Sequence, residues 1–145
     1  MSLNFNSKSY LYETIILTYE EFVQHFGTNP RRMEQINNAL SFFRIFHSCG
    51  CKTVYVDGSF VSKKKYPEDI DLCFDLTGVD AENIERQFPQ FYDIHAIGRI
   101  RRDLQCHIFY FTENDQRLFN LLSEDRNGNL KGFVKLNLND IYDQK

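Results

Sequence analysis

The hydrophobic and polar positions of the chain follow a helical period first and a strand-like alternation later. Residues 18–21 have the spacing of a capping box, which predicts a short helix to about Phe26. Asn29-Pro30 indicates the start of a second helix, which we expect to run to about His47 because apolar residues recur at the helical period. The predicted buried stripe of this helix comprises Met33, Ile36, Asn37, Leu40, Phe43, Ile45 and Phe46.

After residue 50 the pattern predicts mainly strands. Helices followed by a mixed sheet define an α+β fold. We expect one domain over residues 1–145, with N-terminal helices at about 19–48 and a sheet core at about 53–138. The short apolar run at 116–123 favours a helix and leaves a strand open. Strands are predicted at 53–57, 70–75, 91–96, 105–112 and 132–138, a further helix at 80–87, and a turn at 127–128.

Composition narrows the class of protein. Hydrophobic residues make up 42% of the chain and charged residues 26%, as in soluble globular proteins. No apolar run approaches the ~20 residues that cross a bilayer, and no secretory leader is recognisable, so we expect a cytoplasmic protein without a membrane partner. The formal net charge of −3 argues against a general nucleic-acid coat. The four cysteines lack zinc or redox spacing and are expected to be structural thiols.

Candidate chemistry is concentrated between the first two predicted strands. Asp69 and Asp71 are two positions apart, so their side chains should project from one face. Adjacent carboxylates repel unless they are protonated or bridged by a cation, and Mg²⁺ prefers oxygen ligands of this kind. The preceding turn at Gly58-Ser59 offers backbone N–H groups to a phosphate. This pairing indicates a site for a metal ion and a phosphate.

These residues resemble the core motif of the DNA polymerase β-like nucleotidyltransferase superfamily, in which a Gly-Ser turn precedes an Asp-x-Asp pair. The wider pattern, which adds Lys64 or Lys65 before Asp69-Ile70-Asp71, is similar to short bacterial nucleotidyltransferase-like proteins of the minimal type. The resemblance covers roughly residues 19–138. It implies a nucleotidyltransferase-like mixed sheet with helices packed mainly on one face.

The resemblance also implies an activity and the residues that carry it. Asp69 and Asp71 would hold two Mg²⁺ ions, and Gly58 and Ser59 would bind the β and γ phosphates of a nucleoside triphosphate. Lys64 or Lys65 would neutralise charge on the pyrophosphate. The implied reaction transfers NMP, with ATP as the first donor to consider, to a hydroxyl of an RNA or protein acceptor.

The chain departs from the family pattern at the third carboxylate. The strand expected to supply it carries His107 at that place, and a neutral imidazole is a poor ligand for Mg²⁺. Asp103 or Glu113 could substitute from a different angle. Asp75 shares the expected face, but a strand rises about 7 Å for every two residues, so Asp75 should be too far from Asp71 to share an ion without a bend in the strand. His107 could instead be a structural histidine that is bonded to a carbonyl.

Two other functions remain open from the sequence. Because the third acid is displaced, the chain also fits a module that binds a nucleotide or RNA without catalysing a reaction. The short chain leaves little room for a full acceptor-binding domain, which fits a toxin–antitoxin-type system with a helical partner protein or a homo-oligomer.

Overall fold

A five-stranded mixed sheet organises the chain, in a computed structural model that describes residues 3–5, 10–11, 13–112 and 132–142. The α+β class is confirmed. The predicted helix at 116–123 and turn at 127–128 lie outside the described residues. The strands are β1 (Ile15–Leu17), β2 (Thr53–Asp57), β3 (Ile70–Asp75), β4 (Cys106–Phe111) and β5 (Val134–Asn137). The helices are α1 (Tyr19–Phe26), α2 (Pro30–Ser48), α3 (Ala81–Gln87), α4 (Ile94–Leu104) and α5 (Leu138–Tyr142), and two 3-10 helices span Gly58–Val61 and Pro89–Tyr92.

The strand order in the sheet is β1-β5-β2-β3-β4. The central strand β2 runs antiparallel to both of its neighbours, β5 and β3. The outer pairs, β1 with β5 and β3 with β4, are parallel. Because parallel neighbours need a long crossover, the chain between β3 and β4 forms α3, the second 3-10 helix and α4. This crossover brings the C-terminal end of α4 back to the start of β3.

Side-chain caps begin the first two helices as the sequence predicts. The Thr18 hydroxyl accepts from the Glu21 backbone N–H at 3.1 Å, and the Glu21 carboxylate accepts from the Thr18 N–H at 3.0 Å. This reciprocal pair is the predicted capping box. Asn29 accepts from the Arg32 N–H at 2.9 Å and begins α2, with Pro30 in the first turn.

The predicted strand at 91–96 is wrong, because the chain there is helical. The 3-10 helix covers Pro89–Tyr92, and α4 begins at Ile94. Asp93 caps α4 by accepting from the backbone N–H groups of His95 and Ala96. A cap of this kind satisfies donors that have no partner inside the helix and so favours helix over strand.

The other predicted strands are confirmed, and two short elements were not predicted. β2 and β3 have the predicted bounds, and β4 and β5 lie within theirs. Strand β1 is only three residues long, which is too short for a strand pattern to be recognised although all three residues are apolar. Helix α5 begins at Leu138, the residue at which the last strand was expected to end.

Helix α2 packs on the sheet through its aromatic residues. Phe46 stacks on Phe74 of β3 with ring centroids 3.9 Å apart, and Phe43 contacts the same ring edge-on. Such pairs add to the stabilisation from burial alone. The predicted stripe needs one correction: Asn37 is exposed. The fully buried face of the helix is Arg32, Gln35, Ile36, Ala39, Phe42, Phe43 and Phe46.

The cysteines are buried within the sheet and beside it. All four are free, and burial raises the pKa of Cys51 and Cys106 to about 12, which agrees with the structural role expected from the sequence. Among the helices of the described ranges, none combines the length and apolar character that spanning a bilayer requires. The single-domain organisation and the packing of helices mainly on one face stay predictions.

Candidate metal centre

Three polar residues form a row across the adjacent strands β2, β3 and β4. Asp71 of β3 lies opposite Asp57 of β2 on one side and opposite His107 of β4 on the other. Cross-strand partners project from the same face, so the three side chains share one surface of the sheet. Asp57 is 2% exposed, whereas Asp71 and His107 are partly accessible. The row places an imidazole beside the second aspartate of the Asp-x-Asp pair.

Asp69 completes a cluster of possible metal ligands. It precedes β3, whose first residue Ile70 donates its N–H to the Gln105 carbonyl at 2.8 Å and so joins the starts of β3 and β4. One ligand atom each from Asp69, Asp71 and His107 lie within 4.8 Å of one another. The structure therefore brings the two predicted aspartates together, with His107 at the place expected for a third acid.

Asp71 is held in a poorly solvated environment. Burial raises the pKa of its carboxyl above the usual value, the Asp69 charge adds to this effect, and contact with His107 opposes it. Its Oδ1 lies 3.5 Å from His107 Nδ1, too far for a strong hydrogen bond. This oxygen is shielded from water and has no hydrogen-bond partner in the described structure. A cation would satisfy it.

Asp69 differs from Asp71 in that it already has a cationic partner. Its Oδ2 accepts a hydrogen bond from Arg101 Nε of α4 at 2.8 Å. The Asp69 side chain is 15% exposed and the Arg101 side chain 50%. The guanidinium therefore approaches the cluster from the solvent side and neutralises one of its carboxylates.

The turn after β2 lies directly against the cluster. Gly58 has φ +76°, a conformation that side chains with a Cβ rarely adopt. A Cβ at this position would overlap the Asp71 carboxylate. The close approach of backbone and carboxylate therefore requires glycine. Ser59, the other predicted phosphate ligand, is half-buried in the same 3-10 helix, and its carbonyl accepts from the Ser62 hydroxyl.

The loop that carries Lys64 and Lys65 is exposed, but side chains at the start of α2 form hydrogen bonds to its backbone. Arg32 is buried and its guanidinium donates to the carbonyls of Phe26, Phe60, Ser62 and Lys64. Further along the loop, the Asn29 side chain donates to the Lys65 carbonyl and the Gln35 side chain to the Pro67 carbonyl. The loop is therefore fixed although the lysine side chains are accessible. The role of Lys64 and Lys65 in binding phosphate stays a prediction.

The alternative acids are placed away from the cluster where they are described. Asp103 pairs with its neighbour Arg102 on the exposed side of α4. Asp75 lies at the far end of β3 opposite Thr53 and accepts from the Thr77 N–H. Glu113 lies outside the described residues. Neither described alternative belongs to the cluster.

Sequence reasoning missed three features of the site. Asp57 has the character of a turn-favouring residue, although its position at the end of β2 could have indicated a partner for Asp71. Arg101 belongs to a basic segment, and nothing local in the sequence points to Asp69 as its partner. The burial of Arg32 and Gln35 on α2 could not be predicted, because Arg and Gln side chains are usually exposed.

The three side chains offer the kinds of ligand atom that divalent cations bind. Two carboxylates provide the oxygen ligands that Mg²⁺ takes, and the shielded Asp71 Oδ1 has a lone pair that no described hydrogen bond uses. Imidazole suits Mn²⁺ and Zn²⁺ better than Mg²⁺. Asp69, Asp71 and His107 therefore fit a divalent ion that accepts both carboxylate oxygens and an imidazole nitrogen.

Fold and site together define a class: an α+β domain with a carboxylate–imidazole cluster at the start of β3, beside the glycine turn that follows β2. A family of unknown function, DUF6932, matches residues 3–137. The chain belongs to this family. No curated protein and no solved structure gives a significant match.

Proposed function

We propose that the protein is a metal-dependent nucleotidyltransferase that moves NMP from a nucleoside triphosphate to an acceptor hydroxyl, with ATP as the donor. One observation carries the proposal: the ligand atoms of Asp69, Asp71 and His107 converge within 4.8 Å, and Gly58 packs against the Asp71 carboxylate. Two acids and the turn at Gly58-Ser59 are thus neighbours in space as well as in sequence.

Each residue has a defined part in the proposal. Asp69, Asp71 and His107 would hold the divalent cation. Gly58 lets the backbone approach the Asp71 carboxylate, where a Cβ would overlap it, and with Ser59 it would face the β and γ phosphates. Lys64 or Lys65 would meet the pyrophosphate from a loop that Arg32 keeps in place.

The reaction itself requires positioning more than covalent help from the protein. The acceptor oxygen forms a bond to the α-phosphorus, and the bond from that phosphorus to the bridging oxygen breaks. Pyrophosphate leaves, and the hydroxyl proton passes to solvent, which reaches the partly exposed site. A bound divalent ion would supply charge neutralisation and a lower pKa for the acceptor hydroxyl. Cytoplasmic localisation is part of the proposal and agrees with four free cysteines.

The experiment is transfer of label from α-³²P-ATP in the presence of Mg²⁺ or Mn²⁺, with RNA and protein fractions of a cell lysate as acceptors. We would compare the wild type with Asp69→Asn and Asp71→Asn. Asp75→Asn is the matched control, because Asp75 has the same side chain on the same strand outside the cluster. The proposal expects label transfer by the wild type and the control, and a loss of at least about 100-fold in the two variants.

Two outcomes would contradict the proposal. One is that no fraction acquires label with either metal. The other is that Asp69→Asn and Asp71→Asn transfer label as well as Asp75→Asn does. The fraction that acquires label would also identify the acceptor as RNA or protein.

A binding module is the second candidate, and His107 is the observation that favours it. With an imidazole in place of the third carboxylate, the cluster carries one negative charge fewer to hold a second ion. Such a module would bind a metal–ATP complex, detectable by calorimetry, without any transfer of label. Measurable transfer that depends on Asp69 and Asp71 would exclude it.

A further inference from the structure

The guanidinium of Arg101 binds one of the carboxylates of the proposed metal site. Its Nε lies 2.8 Å from Asp69 Oδ2, and Asp69 is one of the three residues whose ligand atoms cluster within 4.8 Å. A divalent ion at the cluster and this guanidinium would compete for the same carboxylate. The divalent ion and the guanidinium are both positively charged, and two positive charges at one carboxylate repel strongly in a partly buried site.

We propose that Arg101 exchanges partners during substrate binding: it neutralises Asp69 when the metal is absent, and it binds the triphosphate once the metal takes that carboxylate. The inference rests on the proposed function and adds to it a residue that selects for metal and nucleotide together. Arg101 would be a positioning residue for the metal and a direct contact for the phosphates.

The contact with Asp69 can be broken at little cost. The Arg101 side chain is half exposed, so it can leave the carboxylate without opening the core. An ion pair with a half-exposed partner stabilises a protein modestly, and the metal that displaces Arg101 keeps the Asp69 carboxylate paired, so little is lost when the pair separates. Binding of a divalent ion to two carboxylates can exceed this by far, so the exchange is favourable when the metal is present.

The position of Arg101 also suits a polyphosphate. A nucleoside triphosphate on the bound metal would bring its phosphate oxygens to the cluster, where the displaced guanidinium remains tethered to the last turn of α4. Arginine binds phosphate through paired N–H donors, which lysine cannot match. Without Arg101, the metal would lose a competitor and the triphosphate a ligand.

Loss of Arg101 should therefore strengthen metal binding and weaken triphosphate binding. A neighbouring arginine provides the control. Arg102 pairs with Asp103 on the surface, and its side chain is 70% exposed. Neutralising Arg102 changes the net charge as much as neutralising Arg101, but does not touch the cluster. A long-range effect of charge would therefore affect both variants, whereas the exchange affects only one.

The experiment measures Mn²⁺ binding by electron paramagnetic resonance, and binding of a Mn²⁺ complex of a non-hydrolysable ATP analogue by calorimetry. We expect Arg101→Gln to bind free Mn²⁺ about threefold to tenfold more tightly than the wild type and the nucleotide complex about tenfold more weakly. Arg101→Lys should restore part of the nucleotide affinity. Arg102→Gln should match the wild type in both measurements.

Failure of this inference differs from failure of the proposed function. If Arg101→Gln and Arg102→Gln bind Mn²⁺ equally, or if they lose nucleotide affinity equally, the exchange is excluded while the metal site stands. If the wild type and all three variants bind no Mn²⁺, the proposed function is contradicted as well, and Arg101 is only the surface partner of Asp69.

Discussion

Asp71 and His107 lie opposite one another on adjacent parallel strands, with Asp71 Oδ1 3.5 Å from His107 Nδ1. The imidazole thus stands where the resemblance to nucleotidyltransferases leads one to expect a carboxylate. It leaves the cluster with two acids and one nitrogen donor. In the proposed metal site, the identity of this third side chain would decide which ion binds most tightly.

Replacing His107 by aspartate should change the metal preference. An imidazole suits Mn²⁺ better than Mg²⁺, whereas a third carboxylate adds an oxygen and a negative charge. We expect the wild type to bind Mn²⁺ more tightly than Mg²⁺, and His107→Asp to bind Mg²⁺ about tenfold more tightly than the wild type does. Competition of Mg²⁺ against Mn²⁺, followed by electron paramagnetic resonance, measures both affinities.

The control for this change is His95→Asp, which adds the same charge at an exposed position in the first turn of α4. It should leave the metal preference of the wild type unchanged. Equal gains in Mg²⁺ affinity for the two variants would show that the effect comes from net charge and not from coordination.

Replacing Asp71 by asparagine should stabilise the metal-free protein at neutral pH. Because burial raises the pKa of Asp71 in the folded state, the folded protein binds more protons than the unfolded chain between the two pKa values. The wild type therefore loses stability from this group as the pH rises above the unfolded value of about 4, and the loss is complete above the folded pKa. The amide of asparagine does not titrate, so the advantage of Asp71→Asn should grow as the pH rises from about 4 towards the raised pKa of the folded state.

Urea unfolding across this pH range measures the free energy of unfolding for both proteins. Mn²⁺ should raise the melting temperature of the wild type and leave that of Asp71→Asn unchanged, because the ion no longer finds two carboxylates. An Asp71→Asn protein that is less stable than the wild type at neutral pH without metal would contradict the destabilising role of the charged carboxylate.

Gly58 and Gly78 allow the strain of a backbone conformation to be separated from overlap with Asp71. Both have φ +76°, but a Cβ on Gly58 would meet the Asp71 carboxylate, and a Cβ on Gly78 would meet nothing within 4 Å. We expect Gly78→Ala to cost about 1 kcal/mol of unfolding free energy. Gly58→Ala should cost about 1–3 kcal/mol more through the overlap, and should weaken Mn²⁺ binding at least about tenfold.

Unfolding and Mn²⁺ titrations of the two alanine variants measure these effects side by side. Equal losses of stability in the two variants, with Mn²⁺ binding retained in Gly58→Ala, would show that the turn can move away from Asp71. The site would then be looser than the close approach of Gly58 indicates.

The parts of the fold that could be predicted are those in which local signals agree. β2 and β3 have alternating or fully apolar patterns bounded by turn residues, so their bounds were confirmed. The same two strands carry Asp71 and the Gly58 turn, which is why the centre of the site could be predicted as well. Spacing along a strand determines which side chains share a face.

The parts that could not be predicted depend on partners distant in sequence. Helix α4 is amphipathic, but it contains Gly98, a poor helix former, and the strand predicted at 91–96 overlapped its first turn and the cap at Asp93. Strand β1 exists through pairing with β5, which lies near the other end of the chain. The pair of Arg101 with Asp69 depends on the crossover that returns α4 to β3. No local pattern encodes such contacts.

Arg32 is the clearest case of a contact that only the fold reveals. Its guanidinium is buried, lies 4.7 Å from the centroid of the Phe60 ring, and donates to carbonyls of the loop after the Gly58 turn. Burial lowers its pKa, but arginine stays charged at any ordinary pH. The charge is stabilised by backbone carbonyls, and those carbonyls in turn depend on the guanidinium.

Arg32→Met should therefore destabilise the protein by about 3 kcal/mol, because methionine fills the space but leaves several buried carbonyls without donors. Arg31→Met is the matched control: Arg31 is exposed and donates a 3.3 Å bond to the Pro67 carbonyl, so we expect a loss below about 1 kcal/mol. Urea unfolding measures both, and hydrogen exchange should show faster exchange at residues 60–66 in Arg32→Met alone. Equal stabilities of the two variants would mean that Asn29 and Gln35 hold the loop without Arg32. The proposed role of Lys64, which needs a loop that is fixed in place, would then lose its main structural support.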